Sequence, residues 1–447
     1  MRAKTVRRGL GWTVARVLIA TSPAEGHVTP VSWVARELVA RGHEVRWYTG
    51  KAYRRKVGST GAVHEPMRRA FDFSGQNRGE AFPSHAGLTG IASFKVGVKE
   101  IFYDAAPDQA EDLLDILVDF PADVLVGDDM CYGACFAHEL SGIPLAWIGN
   151  SVYILGSRDT APLGLALPPS SAPLGRLRNR LLRAVNDHLV MRDVRRYADR
   201  TRTRVGLPRL TSAAMENIAE PPDLYLVGTT PSFEYPRTDL LPQTHFVGPF
   251  SGPSPEEFDP PVWWEDMLAR GPVVLVTQGT TANDVERLLA PAIRALADQD
   301  LFVVVTTGGA TAQEVWSGPL PPNVRVEPFI PYAHLLPHVD VMISNGGFNG
   351  VHMALGHGIP LVVTPATEEK GEVAARVSRV GAGLTITRSA INEASIRGAV
   401  DEVLNDPRYR RRARELQAEQ SEYDGPGRAA ELIETLAAQG RRAVRTA

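Results

Sequence analysis

The chain has 447 residues with 48 Lys and Arg against 51 Asp and Glu, a net charge of -3, and 44% hydrophobic with 22% charged residues. That length exceeds what one hydrophobic core serves and suits two domains of roughly 200 residues each. The near-neutral, ordinary composition excludes a global electrostatic footprint for nucleic acid or an anionic membrane surface, and no apolar run is long enough to span a bilayer.

In chain order, residues 1–15 read as a basic extension with Arg2, Lys4, Arg7 and Arg8; the short apolar run that follows enters a strand rather than a signal-peptide cleavage site. A strand is expected over 17–20, a helix over 31–40 and a second strand over 45–48. Between the first strand and its helix lies Ser22-Pro23-Ala24-Glu25-Gly26-His27-Val28-Thr29-Pro30, which puts His27 at the mouth of this half. Position alone leaves a surface or helix-capping histidine open beside a catalytic base. A later strand, 124–126, leads into the tandem pair Asp128-Asp129. Cys131 and Cys135 are the two cysteines; without a second Cys or His pair they suit zinc poorly, and lone thiols point to a reducing cytoplasm.

Phe71, Phe73, Phe82 and Phe94 fall in an irregular stretch, and residues 161–173 form an apolar, proline-rich loop with Leu163, Leu165 and Leu167. Apolar side chains on loops over a cleft suit a flat hydrophobic ligand; covering the domain core is the other reading. Residues 176–204 form a basic amphipathic stretch, expected as a solvated face; rimming the ligand entrance is the other reading. The Gly- and Pro-rich segment 251–261 reads as an interdomain linker.

The alternation then restarts, with strands at 273–276, 302–306, 324–326, 341–343 and 361–363 and a helix near 285–298. Short β-rich runs alternating with helical patterns predict parallel sheets flanked by helices, hence two doubly wound domains with a cleft between them. After the strand at 341–343 comes Ser344-Asn345-Gly346-Gly347-Phe348-Asn349-Gly350, a strand, glycine turn and helix start. A helix N-terminus offers unpaired N–H groups and a positive dipole end, and glycines admit a large anion such as a diphosphate. A tight turn with no ligand fits the same residues, since neither a dinucleotide fingerprint nor a Walker loop is present.

The flanking order is Phe329-Ile330-Pro331-Tyr332, an apolar strand, the glycine turn, a helix, Gly358-Ile359-Pro360 and Glu368-Glu369-Lys370. In order and spacing this segment resembles the donor signature of nucleotide-sugar-dependent glycosyltransferases of the UDP-glycosyltransferase type. The resemblance extends to residues 17–42 and to the surroundings of Asp128. It implies an α/β protein of the GT-B fold, two doubly wound Rossmann-like domains facing each other across a cleft. The expected layout is the extension at 1–15, an acceptor-binding domain at 16–245, a linker at 246–264, a donor-binding domain at 265–425, and a C-terminal helix and tail at 426–447.

The resemblance further implies an inverting enzyme that moves a hexose, glucose from UDP-glucose, onto a hydroxyl of a lipophilic polyketide, macrolide, phenol or flavonoid. His27 is then the base. Asp128, counted from Gly142-Ile143-Pro144, is its partner, with Asp129 the rival one residue away. Thr280 within Gln278-Gly279-Thr280-Thr281, Phe329, Ile330, Asn345, Gly347, Asn349, Gly350, Glu369 and Lys370 are the implied donor contacts. Phe71, Phe82, Phe94, Leu163 and Leu165 are the candidate acceptor contacts. N–H groups at 347–350 stabilise the leaving diphosphate in place of a metal, so no cofactor is expected. The partners are the nucleotide sugar and a small-molecule acceptor, with no nucleic acid and no membrane span, in a cytoplasmic monomer or homodimer.

Five positions depart from the family pattern. Asn345 replaces a histidine, Phe329 a tryptophan, Tyr332 a glutamine, Met353 a glutamate, and Glu369-Lys370 an Asp-Gln pair. Lys370 would either restore the charge missing at Asn345, alter sugar choice, or lie solvated on its helix. Two alternatives follow: a dTDP-deoxysugar transferase of antibiotic assembly, or an inactive homologue that binds a nucleotide sugar or aglycone.

Overall fold

The computed structural model describes residues 14–76, 78–85, 87–88, 90–211, 222–252, 258–279, 285–365 and 368–446. One sheet contains β1 (Arg16–Ala20), β2 (Glu44–Thr49), β3 (Val63–Pro66), β4 (Val124–Asp128), β5 (Leu145–Gly149), β6 (Leu224–Val227) and β7 (Thr244–Phe246), in the order β3-β2-β1-β4-β5-β6-β7. A second contains β8 (Val273–Thr277), β9 (Phe302–Thr306), β10 (Val324–Glu327), β11 (Val341–Ser344), β12 (Leu361–Val363) and β13 (Gly383–Thr385), in the order β10-β9-β8-β11-β12-β13. Every pairing is parallel. These are the two doubly wound sheets of the expected α/β class. β3, β5, β6, β7 and β13 were not separated by sequence pattern; four of them have four residues or fewer.

Both faces of each sheet are covered, which is why the strands read as unbroken apolar runs. Leu18 and Ala20 enter one core layer while Val17 and Ile19 enter the opposite one, and Val273 and Leu275 alternate with Val274 and Val276 in the same way. The chain leaves the first core after Phe250, and Phe258 already packs against the second. The terminal helix Gly425–Thr446 returns to the first sheet, burying Ala429, Ala430, Ile433 and Ala437 against it. Among the described residues no helix is long and apolar enough to cross a membrane.

The helix expected over 31–40 begins at Glu25, with Pro30 inside it. Proline has no N–H for the carbonyl four residues back, so the Gly26 carbonyl is released from the helical ladder without the helix ending. The helix expected over 285–298 is a 3-10 turn, Val285–Arg287, followed by the α-helix Leu289–Leu296.

In each sheet the strand order reverses once, between β1 and β4 and between β8 and β11. Doubly wound sheets bind ligands beyond the carboxyl ends of the strands at that reversal. His27 follows β1 and Asp128 ends β4; Gln278 follows β8 and Asn345 follows β11. All four candidates therefore sit at the two switch points.

Candidate active site

His27 occupies the first turn of Glu25–Ala40, and its Nδ1 lies 3.0 Å from Asp128 Oδ1. A carboxylate can only accept, so this contact keeps a proton on Nδ1 and leaves Nε2 as the basic nitrogen. Asp128 is fully buried and held by backbone: Oδ2 accepts from Ser22 N–H at 2.6 Å and Oδ1 from Met130 N–H at 2.8 Å. The His27 side chain is 27% exposed. Burial works against its imidazolium, but Asp128 outweighs that by charge and hydrogen bond, and the His27 pKa lies above its ordinary 6.5.

Asp129 turns elsewhere: its Oδ2 accepts from the Tyr225 hydroxyl at 3.2 Å. Burial first, and the neighbouring Asp128 charge second, push its pKa up to about 7. Of the tandem pair, Asp128 is the one that meets the histidine.

On the facing side, Gly346 takes φ +83°, and a Cβ there would sit 3.0 Å from Val363 Cγ1 and 3.1 Å from the Lys370 carbonyl oxygen. Only glycine makes this turn. Gly347 caps the helix Phe348–Gly356, and its N–H donates to Asn345 Oδ1 at 3.3 Å. The Gly347 N–H is thus engaged within the turn, and the N–H groups of Phe348, Asn349 and Gly350 form the first turn of the helix. Asn345 Nδ2 donates to the Gln278 carbonyl, so Asn345 fastens the loop after β8 to the loop after β11. The residue in place of a family histidine thus acts as a brace.

Phe329 follows β10 and is 66% exposed, with its ring face available, whereas Ile330 is buried in the second core. Ile330 therefore offers a ligand only its backbone. Met353 packs partly against the same core. Glu369 and Lys370 open the helix Glu368–Val380, with Lys370 partly buried beside Gly346. Thr280, Thr281 and the Glu369 side chain lie outside the described residues. Asn349 reaches across the cleft, its Nδ2 donating to the Gly26 carbonyl at 3.2 Å.

The aromatic candidates divide. Phe71, Phe73 and Phe82 form a cluster, with ring centroids 5.4 to 6.5 Å apart, and line a cavity of about 200 Å³ together with Ile101. Phe94 packs instead against the first core, outside that cavity. Leu163 touches the cores of both domains, and Leu165 is 46% exposed.

The basic stretch departs from its expectation in its first helix, while Arg192, Arg196, Arg200 and Arg204 of the next helix, Arg192–Arg204, are exposed as a solvated face. In the helix Pro173–Val185, Arg176 bonds Asp159, and Arg183 bonds the carbonyls of Ser157 and Thr160, while Leu174, Leu177 and Leu181 are exposed. Its arginines hold the neighbouring loop and its leucines face solvent.

One feature escaped the sequence altogether: a buried charge network between the domains. Arg376 Nε and Nη2 donate to Glu234 Oε1 at 2.8 and 2.6 Å, and Arg376 Nη1 donates to Glu372 Oε2 at 3.0 Å. Burial opposes the Glu234 charge, but Arg376 and Arg237 outweigh it and hold its pKa down to about 2. The i,i+4 spacing of Glu372 and Arg376 was visible, but Glu234 is 142 positions away from Arg376.

The family model for erythromycin biosynthesis protein CIII-like, C-terminal domain, matches residues 290–436. The 4'-demethylrebeccamycin synthase of Lentzea aerocolonigenes is 58% identical over 422 residues, 94% of this chain and 99% of that protein. UDP-glycosyltransferase 2 of Phaeomoniella chlamydospora is 31% identical over 439 residues, 94% of this chain and 96% of that one. The solved glycotransferase of kitacinnamycin shares the fold with a TM-score of 0.74 at 23% identity, covering 95% of this chain and 100% of its own. The calicheamicin glycosyltransferase CalG4 does so at 0.72 and 23%, covering 95% and 98%. With the switch-point geometry, these likenesses lead to one conclusion: the chain belongs to the GT-B natural-product glycosyltransferases of the UDP-glycosyltransferase type, enzymes that transfer a sugar from a nucleotide sugar.

Proposed function

We propose that this glycosyltransferase moves glucose from UDP-glucose to a hydroxyl of a lipophilic natural product with inversion at the anomeric carbon. The observation that carries the reading is the 3.0 Å contact of His27 Nδ1 with the buried, backbone-held Asp128. An acceptor hydroxyl is a weak nucleophile at neutral pH. His27 Nε2 takes its proton as the oxygen lone pair forms a bond to the anomeric carbon from the face opposite the nucleotide. The bond from that carbon to the β-phosphate oxygen breaks, and the diphosphate departs with the electron pair. Asp128 stays ionised and steadies the imidazolium that forms.

The charge gathering on the diphosphate falls to the first-turn N–H groups of Phe348, Asn349 and Gly350 and to the helix dipole, preorganised donors that act without a metal. Phe329 stacks on the base. Thr280, Glu369 and Lys370 are assigned to the donor by family likeness alone. Relatives named UDP-glycosyltransferase and UDP-glucosyltransferase support the UDP and glucose assignments. The relative named 4'-demethylrebeccamycin synthase supports a natural-product acceptor. The Glu369-Lys370 departure favours a second reading, transfer of a deoxysugar from a dTDP donor.

The test is a panel of UDP- and dTDP-sugars incubated with phenolic, macrolide and polyketide acceptors, with products read by mass spectrometry. Glycosylated product from UDP-glucose supports the first reading, and product from dTDP-sugars alone replaces it with the second. Activity should survive EDTA; complete loss restored by magnesium would overturn the metal-independent assignment.

A further inference from the structure

Glu372 lies on the helix Glu368–Val380, two residues beyond Lys370, and its side chain leaves the donor domain for the loop at 161–172. Its Oε1 accepts from two backbone donors of that loop, Gly164 N–H and Ala166 N–H, each at 2.8 Å. Those residues have unusual backbones. Gly164 has φ +95°, and Ala166, at φ +51°, is the single non-glycine residue with positive φ among the described residues. A left-handed alanine is sterically strained and persists only where its surroundings impose it. Here a carboxylate from the other domain imposes it.

Glu372 is itself held. Its Oε2 pairs with Arg376, which is 1% exposed, grips Glu234 through Nε and Nη2, and stacks over the Tyr235 ring at 3.9 Å. Glu234 Oε2 accepts from Tyr153 N–H at 3.0 Å, closing the network onto the chain after β5. The loop walls a small cavity, about 20 Å³, whose lining includes Leu163, Leu167, Tyr153 and Tyr235 as well as Glu372 and Arg376.

We infer that Glu372 is a positioning residue: it shapes the loop bearing Leu163, Leu165 and Leu167 from the helix that begins beside the donor turn, so that the acceptor wall takes its working form only while the donor helix is docked on it. The inference rests on the glycosyltransferase reading and on that loop lining the acceptor side.

The experiment uses the full chain in two measurements. The first is amide hydrogen exchange at Gly164 and Ala166, which needs no ligand. Glu372→Ala should accelerate it about tenfold or more, since two hydrogen bonds to a charged acceptor are lost. The second is steady-state kinetics with UDP-glucose and 4-methylumbelliferone as the probe acceptor. KM for the probe should rise about tenfold or more, while UDP affinity stays within about twofold. Adding Ala166→Gly to Glu372→Ala should recover part of that KM, because glycine adopts positive φ without steric cost; a merely structural loss would not be rescued in this way. Glu372→Gln, which keeps an oxygen facing both N–H groups, should remain nearer the parent. Should Glu372→Ala not fold, Glu372→Asp, too short to reach the loop, carries the same expectations. Unchanged exchange overturns the clamp. Faster exchange with unchanged probe KM, or UDP affinity falling in step with KM, overturns the positioning role. A parent enzyme that transfers nothing to the probe refutes the acceptor assignment, while exchange still decides the clamp.

Discussion

Asn349 Nδ2 donates to the Gly26 carbonyl at 3.2 Å, joining the first turn of the donor-side helix to the turn that carries His27. The carbonyl is available because Pro30, four residues on, has no N–H to give it. Asn349→Ala should leave UDP affinity within about twofold and lower kcat by about 2- to 10-fold, the worth of one neutral hydrogen bond. An equal fall in UDP affinity by calorimetry would place the Asn349 side chain on the donor instead.

The dyad predicts a non-additive pattern. His27→Ala should reduce turnover by roughly 100- to 10,000-fold with little change in nucleotide binding. Asp128→Asn should act in the same direction, and the double variant should be scarcely worse than His27→Ala, because the two act as a unit. Full activity in His27→Ala would reject the mechanism.

The pH dependence follows from the raised His27 pKa. Only the neutral ring accepts a proton, so kcat/KM should fall on the acid side of a pKa above 6.5 and level off at higher pH. Asp128→Asn should move that limb to lower pH. Stability runs the other way: a histidine whose pKa is raised by folding contributes fully below its unfolded value and loses the contribution as pH rises through the folded one. The thermal destabilisation by Asp128→Asn should therefore be larger near pH 6 than near pH 9.

Asp129 gives a slope of the same sign, stability falling as pH rises. Its folded pKa of about 7 stands above the ordinary 3.8, so keeping it ionised costs stability increasingly between those values and fully above them. Asp129→Asn retains an oxygen for the Tyr225 hydroxyl and removes the charge. Its melting temperature should exceed the parent's by about 2 °C or more near pH 8, with little gain near pH 4. Equal shifts at both pH values would refute the assigned titration.

Phe329, at 66% exposure, has a ring free to stack. Phe329→Ala should weaken UDP binding by roughly 1 to 3 kcal/mol, the scale of base stacking on an aromatic. Unchanged affinity by calorimetry would remove Phe329 from the donor site.

Much of this was legible in the chain itself. Val273, Val274, Leu275 and Val276 are buried on both sides of their sheet, so a continuous apolar run marks the strand, and the motifs after β1, β4, β8 and β11 fall at the switch points by topology alone. Short strands such as β13, Gly383–Thr385, carry too few residues for a periodic signal.

The choice within Asp128-Asp129 belonged to the tertiary structure. Successive side chains at the end of a strand point to opposite faces, so one carboxylate meets His27 and the other Tyr225, and nothing in the two identical letters says which. The same holds for Glu372, whose loop partners Gly164 and Ala166 are 208 and 206 positions away. Local composition and spacing determined the strands, the turns and the kinds of chemistry at their ends. Contacts between residues so distant in sequence are set only when the chain packs: assembly of the first sheet decided which carboxylate meets His27, and docking of the two domains decided which carbonyl Asn349 and which loop Glu372 reach.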